Sequence, residues 1–318
     1  MKASIGVVMD PIQTIKIHKD STFAMMLEIQ RRGWELFYLE QRDIYLLHCC
    51  PYARVRPLRV RDDPSGWFTL GEGREIPLFA LDAILMRKDP PFDMEYIYTT
   101  QLLELAQREG TLVVNRPQSL RDANEKLFTA WFPECRPPTL VSREAQRFVD
   151  FLEEQQEIVV KPLDGMGGAS IFRITRDDPN RNVILETLTA HATRFAMAQR
   201  YLPEIRDGDK RILLVNGEAV PYALARLPKP GEFRGNLAAG GTGKGVPLSE
   251  RDQFIVRRVG PVLRDKGILF AGLDVIGDYL TEINITSPTC IRELDSLYDL
   301  NISALLMDCI EEKLEQCT

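Results

Sequence analysis

The chain has 318 residues, 44% hydrophobic and 27% charged, with 40 basic and 46 acidic side chains and a formal net charge of −6. That length accommodates two or three domains with real cores, and the acidic balance, with no extended basic run, argues against a nucleic-acid or polybasic membrane surface. No apolar stretch approaches the ~18 residues of a membrane span, and the N-terminal MKASIGVVMDP is too short for a signal peptide.

Residues 1–120 alternate strand and helix. Ile5–Met9 reads as a short buried strand. Asp20 or Ser21 caps a helix with Phe23, Met26 and Leu27 on its apolar face, and Gly33 stands where a C′ glycine belongs. Glu35–Leu39 is the next strand. Tyr52–Val60 and Trp67–Leu70 flank Asp-Asp-Pro-Ser-Gly, which predicts an inserted hairpin. Leu81–Met86 is another buried strand, a helix runs from about Asp93 to its stop at Gly110, and Thr111–Val114 closes the set. This alternation predicts an open α/β sheet with ligands beyond the carboxyl ends of its strands. Arg87, Lys88 and Asp89 follow one such end directly.

Residues from about 121 to 200 read as a small α+β module. Glu125–Trp131 is helical, and Ser142 caps a helix carrying Ala145, Phe148, Val149 and Leu152 on one face. Then comes IVVKPLDGMGGASIFRI (158–174), followed by a helix around Val183–Leu188 and a strand at Phe195–Gln199. In that stretch the lysine precedes the glycines and no GK[ST] follows, so it is not the usual P-loop. It fits a plain β-hairpin with a glycine turn, or a loop whose small residues let backbone N–H groups approach phosphate.

From about residue 201 onward, Arg211–Val215 and Ala219–Leu224 flank Asn216-Gly217, a strong type I′ hairpin signal. Phe270–Ile276 and Tyr279–Ile285 form a second hairpin. Between them Leu227–Gly245 shows neither helical nor strand period and reads as a mobile active-site lid carrying Arg234 and Asn236. A C-terminal helix of mixed faces spans about Ile302–Leu314.

Four features suggest a shared site. Lys126 and Lys161 supply compact charges suited to phosphate oxygens. Asp274, Glu282 and Asn284 are oxygen donors suited to Mg²⁺, with Glu282 and Asn284 on one strand face. Placing Asp274 opposite Glu282 requires an odd number of turn residues; a two-residue turn at Gly277-Asp278 would turn Asp274 to the wrong face. Arg87, Arg211, Arg226, Arg234 and Arg292 stand at strand ends or in the lid, as an anionic substrate requires. Cysteines at 49, 50, 135, 290, 309 and 317 form no CxxC, and His18, His48 and His191 are scattered, so a zinc site or disulfide framework is not indicated. Reduced thiols in a cytoplasmic protein are the expectation.

MRKDPPFD (86–93), NRPQSLRDANEKLFTAWF (115–132), KPLDGMGGASIF (161–172), DGDKRILLVNGE (207–218), RGNLAAGG (234–241) and LTEINITSPTCIRE (280–293) together resemble bacterial glutathione synthetases of the ATP-grasp superfamily, in order and over nearly the whole chain. The resemblance implies an ATP-grasp fold divided into an N-terminal α/β unit (1–122), a central lid with a glycine flap (123–200) and a C-terminal metal-binding unit (201–318). It implies that Lys126 and Lys161 bind the nucleotide phosphates under Gly165, Met166, Gly167 and Gly168. Gln199, Tyr201 and Leu202 would hold adenine, and Asp209 the ribose. Asp274, Glu282 and Asn284 would hold two Mg²⁺, with Mn²⁺ as an alternative. Arg211 and Arg226 would be catalytic, while Arg87, Arg234, Asn236 and Arg292 would bind substrate. The implied reaction is ATP-dependent ligation of γ-glutamylcysteine and glycine through an acylphosphate, by a homotetramer. Another ATP-grasp carboxylate–amine ligase, such as a dipeptide ligase, would share this machinery and differ at the substrate arginines. Within QRYLP (199–203), Arg200 departs from the smaller polar residue of the family pattern.

Overall fold

The computed structural model describes residues 2–229, 231–232, 234–235 and 240–316, and three sheets organise the chain. In the first, Ser4–Val8 runs parallel to Glu35–Leu39 on one side and to Ala83–Met86 on the other, with Leu112–Val114 beyond. These strands are almost wholly buried because helices cover both faces. Ile5, Val7 and Tyr38 pack in a core with Phe23 and Met26 of the helix Ser21–Arg31. Val8, Leu39 and Ile84 pack in another with Tyr96 and Leu103 of Met94–Arg108. Asp20 is the cap of the first helix, its carboxylate accepting the Phe23 N–H at 2.6 Å, and Gly33 follows with φ +72°. The inserted hairpin is larger than the sequence suggests: Cys50–Val60 pairs with Phe68–Leu70, Arg74–Pro77 and Ile44–Leu47.

The second sheet has the order Phe172–Thr175, Glu157–Pro162, Ala196–Arg200, Thr139–Ser142, all antiparallel. Ser142 ends an edge strand rather than capping the next helix. Glu144 is the residue at the cap, and the Ser142 hydroxyl accepts its N–H at 3.0 Å. Helices Ala145–Gln155 and Arg181–Leu188 cover one face through Phe148, Leu152 and Leu185 against Ile158, Val160 and Ala198. Because side chains alternate along a strand, Val159, Lys161 and Gln199 point the other way, toward a cavity. Helix content in the predicted segment Glu125–Trp131 is a 3₁₀ turn, Leu127–Trp131.

The third sheet has the order Thr242–Pro247, Glu218–Leu227, Asp209–Val215, Phe270–Ile276, Tyr279–Asn284. Asn216-Gly217 forms the expected tight hairpin, with φ of +48° and +80°. Two expectations fail. The segment 227–245 is not structureless to its end: Thr242–Pro247 pairs with Glu218–Leu227, from Leu227↔Thr242 to Tyr222↔Pro247. Backbone pairing at a sheet edge needs no apolar alternation, so Thr-Gly-Lys-Gly hid the strand. The turn-parity argument fails as well. The turn has two residues, Gly277-Asp278, with Ile276↔Tyr279 and Val275↔Leu280, yet Asp274 does pair with Glu282. A β-bulge at Thr281, whose hydroxyl donates to the Asp274 carbonyl at 3.1 Å, supplies the extra residue. The helix Glu250–Asp265, absent from the sequence reading, packs Ile255, Val259 and Leu263 on this sheet. Its Ser249–Asp252 capping box and i, i+4, i+8 apolar spacing were available signals, masked by Gly260-Pro261.

The C-terminal helix Ile302–Gln316 returns to the first unit. Arg32 donates to Asp308 at 2.5 Å, to Glu311 at 3.2 Å and to Glu28 at 2.8 Å. Burial opposes ionisation of Glu28, but Arg31, Arg32 and Asn301 outweigh it and lower its pKa from 4.5 to about 2. A carboxylate depressed in this way stabilises the fold above its unfolded pKa and loses that contribution as the pH falls through the folded value. Relative to Glu28→Gln, the protein should therefore lose up to about 3 kcal/mol of unfolding free energy between pH 6 and pH 2. Urea titrations of both proteins across that range measure the difference.

Candidate active site

A cavity of about 410 Å³ is lined by all three units: Lys19 and Asp89 from the first, Glu125, Lys126, Lys161 and the glycine flap from the second, and Asp209, Arg211, Arg226, Asp274, Glu282 and Asn284 from the third. Sheet register builds its floor. Asp209 and Arg211, two residues apart, share a face. Arg226 pairs with Asp209, Asp274 with Arg211, and Glu282 with Asp274. A row of charged side chains, basic and acidic in turn as far as Asp274 and ending on the second acid Glu282, therefore crosses four strands. Gly272, on the same face, gives space to the Arg211 stem: a Cβ there would lie 2.8 Å from the Arg211 Cδ and 3.1 Å from Pro288.

Arg211 grips Asp274 bidentately, Nε to Oδ1 at 2.5 Å and Nη2 to Oδ2 at 3.1 Å. Arg226 Nη2 reaches Asp274 Oδ2 at 2.9 Å and also bonds Asp209. Burial works against the Asp274 charge, but the two guanidiniums hold its carboxyl far below the usual carboxylate range. Asp209, with less compensation, is pushed up by burial to about 6, and its Oδ1 is buried without a hydrogen-bond partner. Lys161 Nζ donates to Glu282 Oε1 at 3.0 Å, with Lys126 Nζ 3.8 Å from the same oxygen. The two lysines offset the burial of Glu282 and lower its pKa. Glu125, missed by the sequence reading, bonds Lys126; burial raises its pKa, and the neighbouring Glu282 charge adds to the effect.

The glycine flap is the loop between Glu157–Pro162 and Phe172–Thr175, so hairpin and cavity cover are the same object. Lys126 Nζ donates to the Gly165 carbonyl at 2.7 Å and Arg234 Nη1 to the Gly168 carbonyl at 3.2 Å. Met166 and Gly167 line the cavity between them. Toward the hinge, Gln199, Tyr201 and Leu202 also line it. The Gln199 Nε2 is buried without a partner, and Arg173 stacks 4.0 Å from the Tyr201 ring centroid. Arg200 reaches the third unit, donating to the Tyr279 hydroxyl at 2.9 Å.

Two expected substrate arginines are not brought to the cavity. Arg87 is buried beneath it, donating to Thr22 Oγ1 at 3.0 Å and to the Pro288 carbonyl at 2.9 Å. Arg292 pairs with Asp62, in the turn between Cys50–Val60 and Phe68–Leu70, at 2.6 Å. Their positions after a strand and at a helix start gave no view of these partners. Asn236 lies outside the described residues. Lys19, Cys290 and Glu293 do line the cavity; Cys290 and Glu293 stand inside the 280–293 motif without having been assigned a role, and Lys19 lies in none of the motifs.

The donor set suits Mg²⁺. Among the described residues no group of three or more His, Cys, Asp or Glu side chains forms a self-contained metal cage. Glu282 Oε2 and Asn284 Oδ1 accept no hydrogen bond there, since Lys161 takes Oε1 and Asn284 uses its Nδ2 on Asp274 and Gly272. An ion that keeps water and binds one or two carboxylates together with substrate phosphates needs no more than this.

Family models for the prokaryotic glutathione synthetase N-terminal domain and ATP-grasp domain match residues 3–121 and 125–299. The chain belongs to the prokaryotic glutathione synthetase family. It is 61% identical over 315 residues to a glutathione synthetase of Pseudomonas syringae pv. tomato, covering 99% of both chains. It is 58% identical over 311 residues to one of Yersinia pestis, covering 98% of both. Among solved structures it is similar to the D-cycloserine synthetase DcsG, with a TM-score of 0.65, 15% identity and 99% and 100% of the two chains covered. It is also similar to the ATP-grasp ligase PsnB, with a TM-score of 0.63, 14% identity and 98% of each chain covered. At such identities the likeness establishes the ATP-grasp fold alone, as the family resemblance implied.

Among the described residues, the side-chain contacts from outside the hairpin to 163–171 come from Asn124, Lys126, Arg194 and Arg234 and end on carbonyl or carboxylate oxygens, so exchange of the backbone N–H groups of 163–171 should be quick in the free protein. A non-hydrolysable ATP analogue with Mg²⁺ should slow it severalfold, while Ile158–Val160 stays protected in both states. Hydrogen–deuterium exchange with mass spectrometry reads both segments. Equal tip exchange with and without nucleotide would remove the flap's role.

Proposed function

We infer that the chain joins γ-glutamylcysteine to glycine at the expense of ATP, giving glutathione, ADP and phosphate. The observation that carries this is the family match over the whole length, and the cavity supplies the chemistry the reaction needs. A carboxylate must attack the γ-phosphoryl group, and the acylphosphate so formed must meet an amine before it meets water. Phosphoryl transfer depends chiefly on alignment and charge neutralisation.

Each residue's part follows from its position. Gln199, with its free buried amide, and the Tyr201–Leu202 backbone receive the adenine, and the unpartnered Asp209 Oδ1 receives a ribose hydroxyl. Lys126 and Lys161 bind the phosphates, turning from Glu125 and Glu282 as anionic oxygens arrive. Gly165–Gly168 close above and exclude water. Mg²⁺, held by Glu282, Asn284 and Asp274, would neutralise the phosphate oxygens in flight. Asp274 has both carboxylate oxygens engaged, Oδ1 by Arg211 and Oδ2 by Arg211, Arg226 and Asn284, so it joins that set as an arginine shifts toward the substrate. Arg211 and Arg226 then face the developing charge on the phosphoryl and acyl oxygens, already desolvated and pointed. Arg234, tied to Gly168, couples the lid to the flap. Arg87 acts on the substrate through Pro288, whose carbonyl it holds.

A cytoplasmic setting suits this assignment. No helix among the described residues is long and apolar enough to cross a membrane, and the five described cysteines are free. The division at about residues 122 and 200 and the homotetramer belong to the same proposal.

Two measurements test the reading. ADP release should require γ-glutamylcysteine, glycine, ATP and Mg²⁺ together, and turnover with D-alanine in place of both substrates would favour a dipeptide ligase instead. Glu282→Gln should lower kcat by about 100-fold or more and raise the Mg²⁺ concentration needed for half-maximal rate. A variant with unchanged Mg²⁺ dependence would exclude Glu282 from the metal set.

A further inference from the structure

Two half-buried residues outside the charged row join the hinge end of the cavity to the hairpin of the metal donors. Arg200 lies between Gln199 and Tyr201, which both line the cavity. Its Nη2 donates to the Tyr279 hydroxyl at 2.9 Å, and its guanidinium stands 5.2 Å from the Tyr279 ring centroid. One arginine thus makes a hydrogen bond and a cation–π contact with one tyrosine. Each partner is fixed to a rigid element of a different unit. The Arg200 N–H donates to the Pro138 carbonyl and the Tyr201 N–H to the Glu157 carbonyl, both at 3.0 Å, so residue 200 moves with the second sheet. Tyr279 follows the tight turn of the hairpin that carries Asp274, Glu282 and Asn284. That turn is held in its own right. Arg251 donates to the Asp278 carbonyl at 2.9 Å and to the Glu134 carbonyl at 2.7 Å, and the Leu280 N–H donates to the Cys135 carbonyl at 2.8 Å.

The second sheet has another side-chain link to the same hairpin, Lys161 on Glu282 at 3.0 Å. Where Glu157–Pro162 pairs with Ala196–Arg200, Ile158 stands beside Arg200 and Lys161 beside Met197. Three residues of strand, about 10 Å, therefore separate the two links. Lys161 is at the flap end of the sheet. Arg200 is at the other end, where the chain leaves for the third unit through Leu202 and the turn Pro203–Asp207. The two links differ in what a ligand can do to them. On the ligase reading, Lys161 turns from Glu282 to phosphate. Tyr279 is not among the described residues that line the cavity, so its hydroxyl offers a bound ligand nothing to replace.

We propose that Arg200 and Tyr279 are positioning residues for the reaction, a strut that fixes the adenine-binding strand against the metal-binding hairpin. The strut rests on the ligase reading above and specifies what aligns the nucleotide with its metal ions. One nucleotide must meet Gln199 and Tyr201 with its base and, through its phosphates, the ions held by Glu282 and Asn284. Those side chains belong to different sheets, and what joins the sheets sets their spacing. Arg200 is the immediate neighbour of the first pair, and Tyr279 lies three residues before Glu282 on the same strand. When Lys161 lets go, the Arg200 end stays fixed while the flap end follows the phosphates. Without the strut, base and metal still find their own partners, but the spacing that serves both on one molecule is no longer preorganised. The strut therefore acts on the coupling between nucleotide and Mg²⁺ and on neither contact alone.

The test uses the full-length protein and titration calorimetry with AMP, and with the non-hydrolysable ATP analogue AMPPNP in the presence and absence of Mg²⁺. In the wild type, Mg²⁺ should tighten AMPPNP binding. Arg200→Met removes both contacts, and Tyr279→Phe keeps the ring and removes only the hydroxyl. Each should cut that tightening by about 3- to 10-fold, the range of one such contact, and leave AMP affinity unchanged. The double variant should lose no more than Arg200→Met alone, because the two side chains act as one unit. A purely structural role would weaken AMP and AMPPNP together and leave the Mg²⁺ effect intact. The strut is overturned by a wild type whose AMPPNP affinity ignores Mg²⁺, by variants that keep the wild-type Mg²⁺ effect, or by losses that add in the double variant. It is also overturned if Arg200→Met has an effect that Tyr279→Phe does not share at all, which would make Arg200 a direct ligand contact. Absence of any AMPPNP binding by the wild type would instead refute the nucleotide site of the ligase reading.

Discussion

Asp274 held between Arg211 and Arg226 is the contact around which the cavity is built. All three are almost fully removed from water, and a buried charge survives only when it is paired and hydrogen-bonded. Removing one partner of such a pair typically costs about 3–5 kcal/mol, because the other is left uncompensated. The same compensation operates a few ångströms away, where Lys161 and Lys126 share Glu282. The cavity thus holds its cations on its own carboxylates. On the proposed function, anionic phosphates and a divalent ion would enter by exchanging partners, with few charges stripped of water at that moment.

The storage explains why backbone register matters so much. The charged row is continuous only while Asp274 stands opposite Glu282, and a regular two-residue hairpin would send one of them into the apolar core. The bulge at Thr281 reconciles a tight turn with that pairing. It also leaves Leu280 and Ile283 in the core on the other face of the sheet. Gly272 belongs to the same solution, since its missing side chain is the space through which Arg211 reaches across.

Three units must meet for the cavity to exist, and the contacts joining them differ in kind. The third unit is bound to the first by the Glu28–Arg32–Asp308 network, buried at its Glu28 end, and by Arg87 on Pro288. Both arginines have little exposure and fixed geometry, as a permanent seam requires. Within the second unit, the segment 125–135 is fixed to the third by the Ile283 N–H on the Glu125 carbonyl and the Leu280 N–H on the Cys135 carbonyl, whereas its antiparallel sheet and flap meet the third through Lys161 on Glu282, Arg200 on Tyr279 and Arg234 on the flap carbonyl. The latter are polar side-chain contacts, and on the proposed function incoming phosphate would replace the first of them. A lid that opens belongs on the exchangeable side.

Local sequence determined much of this protein. Apolar strand runs, the Asp20 cap, the Gly33 stop, the Asn216-Gly217 turn and the lysine-first glycine hairpin each depend on neighbours in the chain, and each is found where local rules put it. The family motifs likewise named most of the side chains that the fold gathers into one cavity. What the chain could not disclose locally were the non-local terms. The Thr281 bulge depends on which face of Asp274 must be buried. The edge strand Thr242–Pro247 exists through its partner strand, and Arg292 was captured by Asp62, 230 residues away. Glu293 stands inside the 280–293 motif and Lys19 outside every motif, and neither was given a role by the sequence. Only the tertiary structure could place them in the cavity wall, because a side chain lines a cavity according to what the rest of the chain brings beside it.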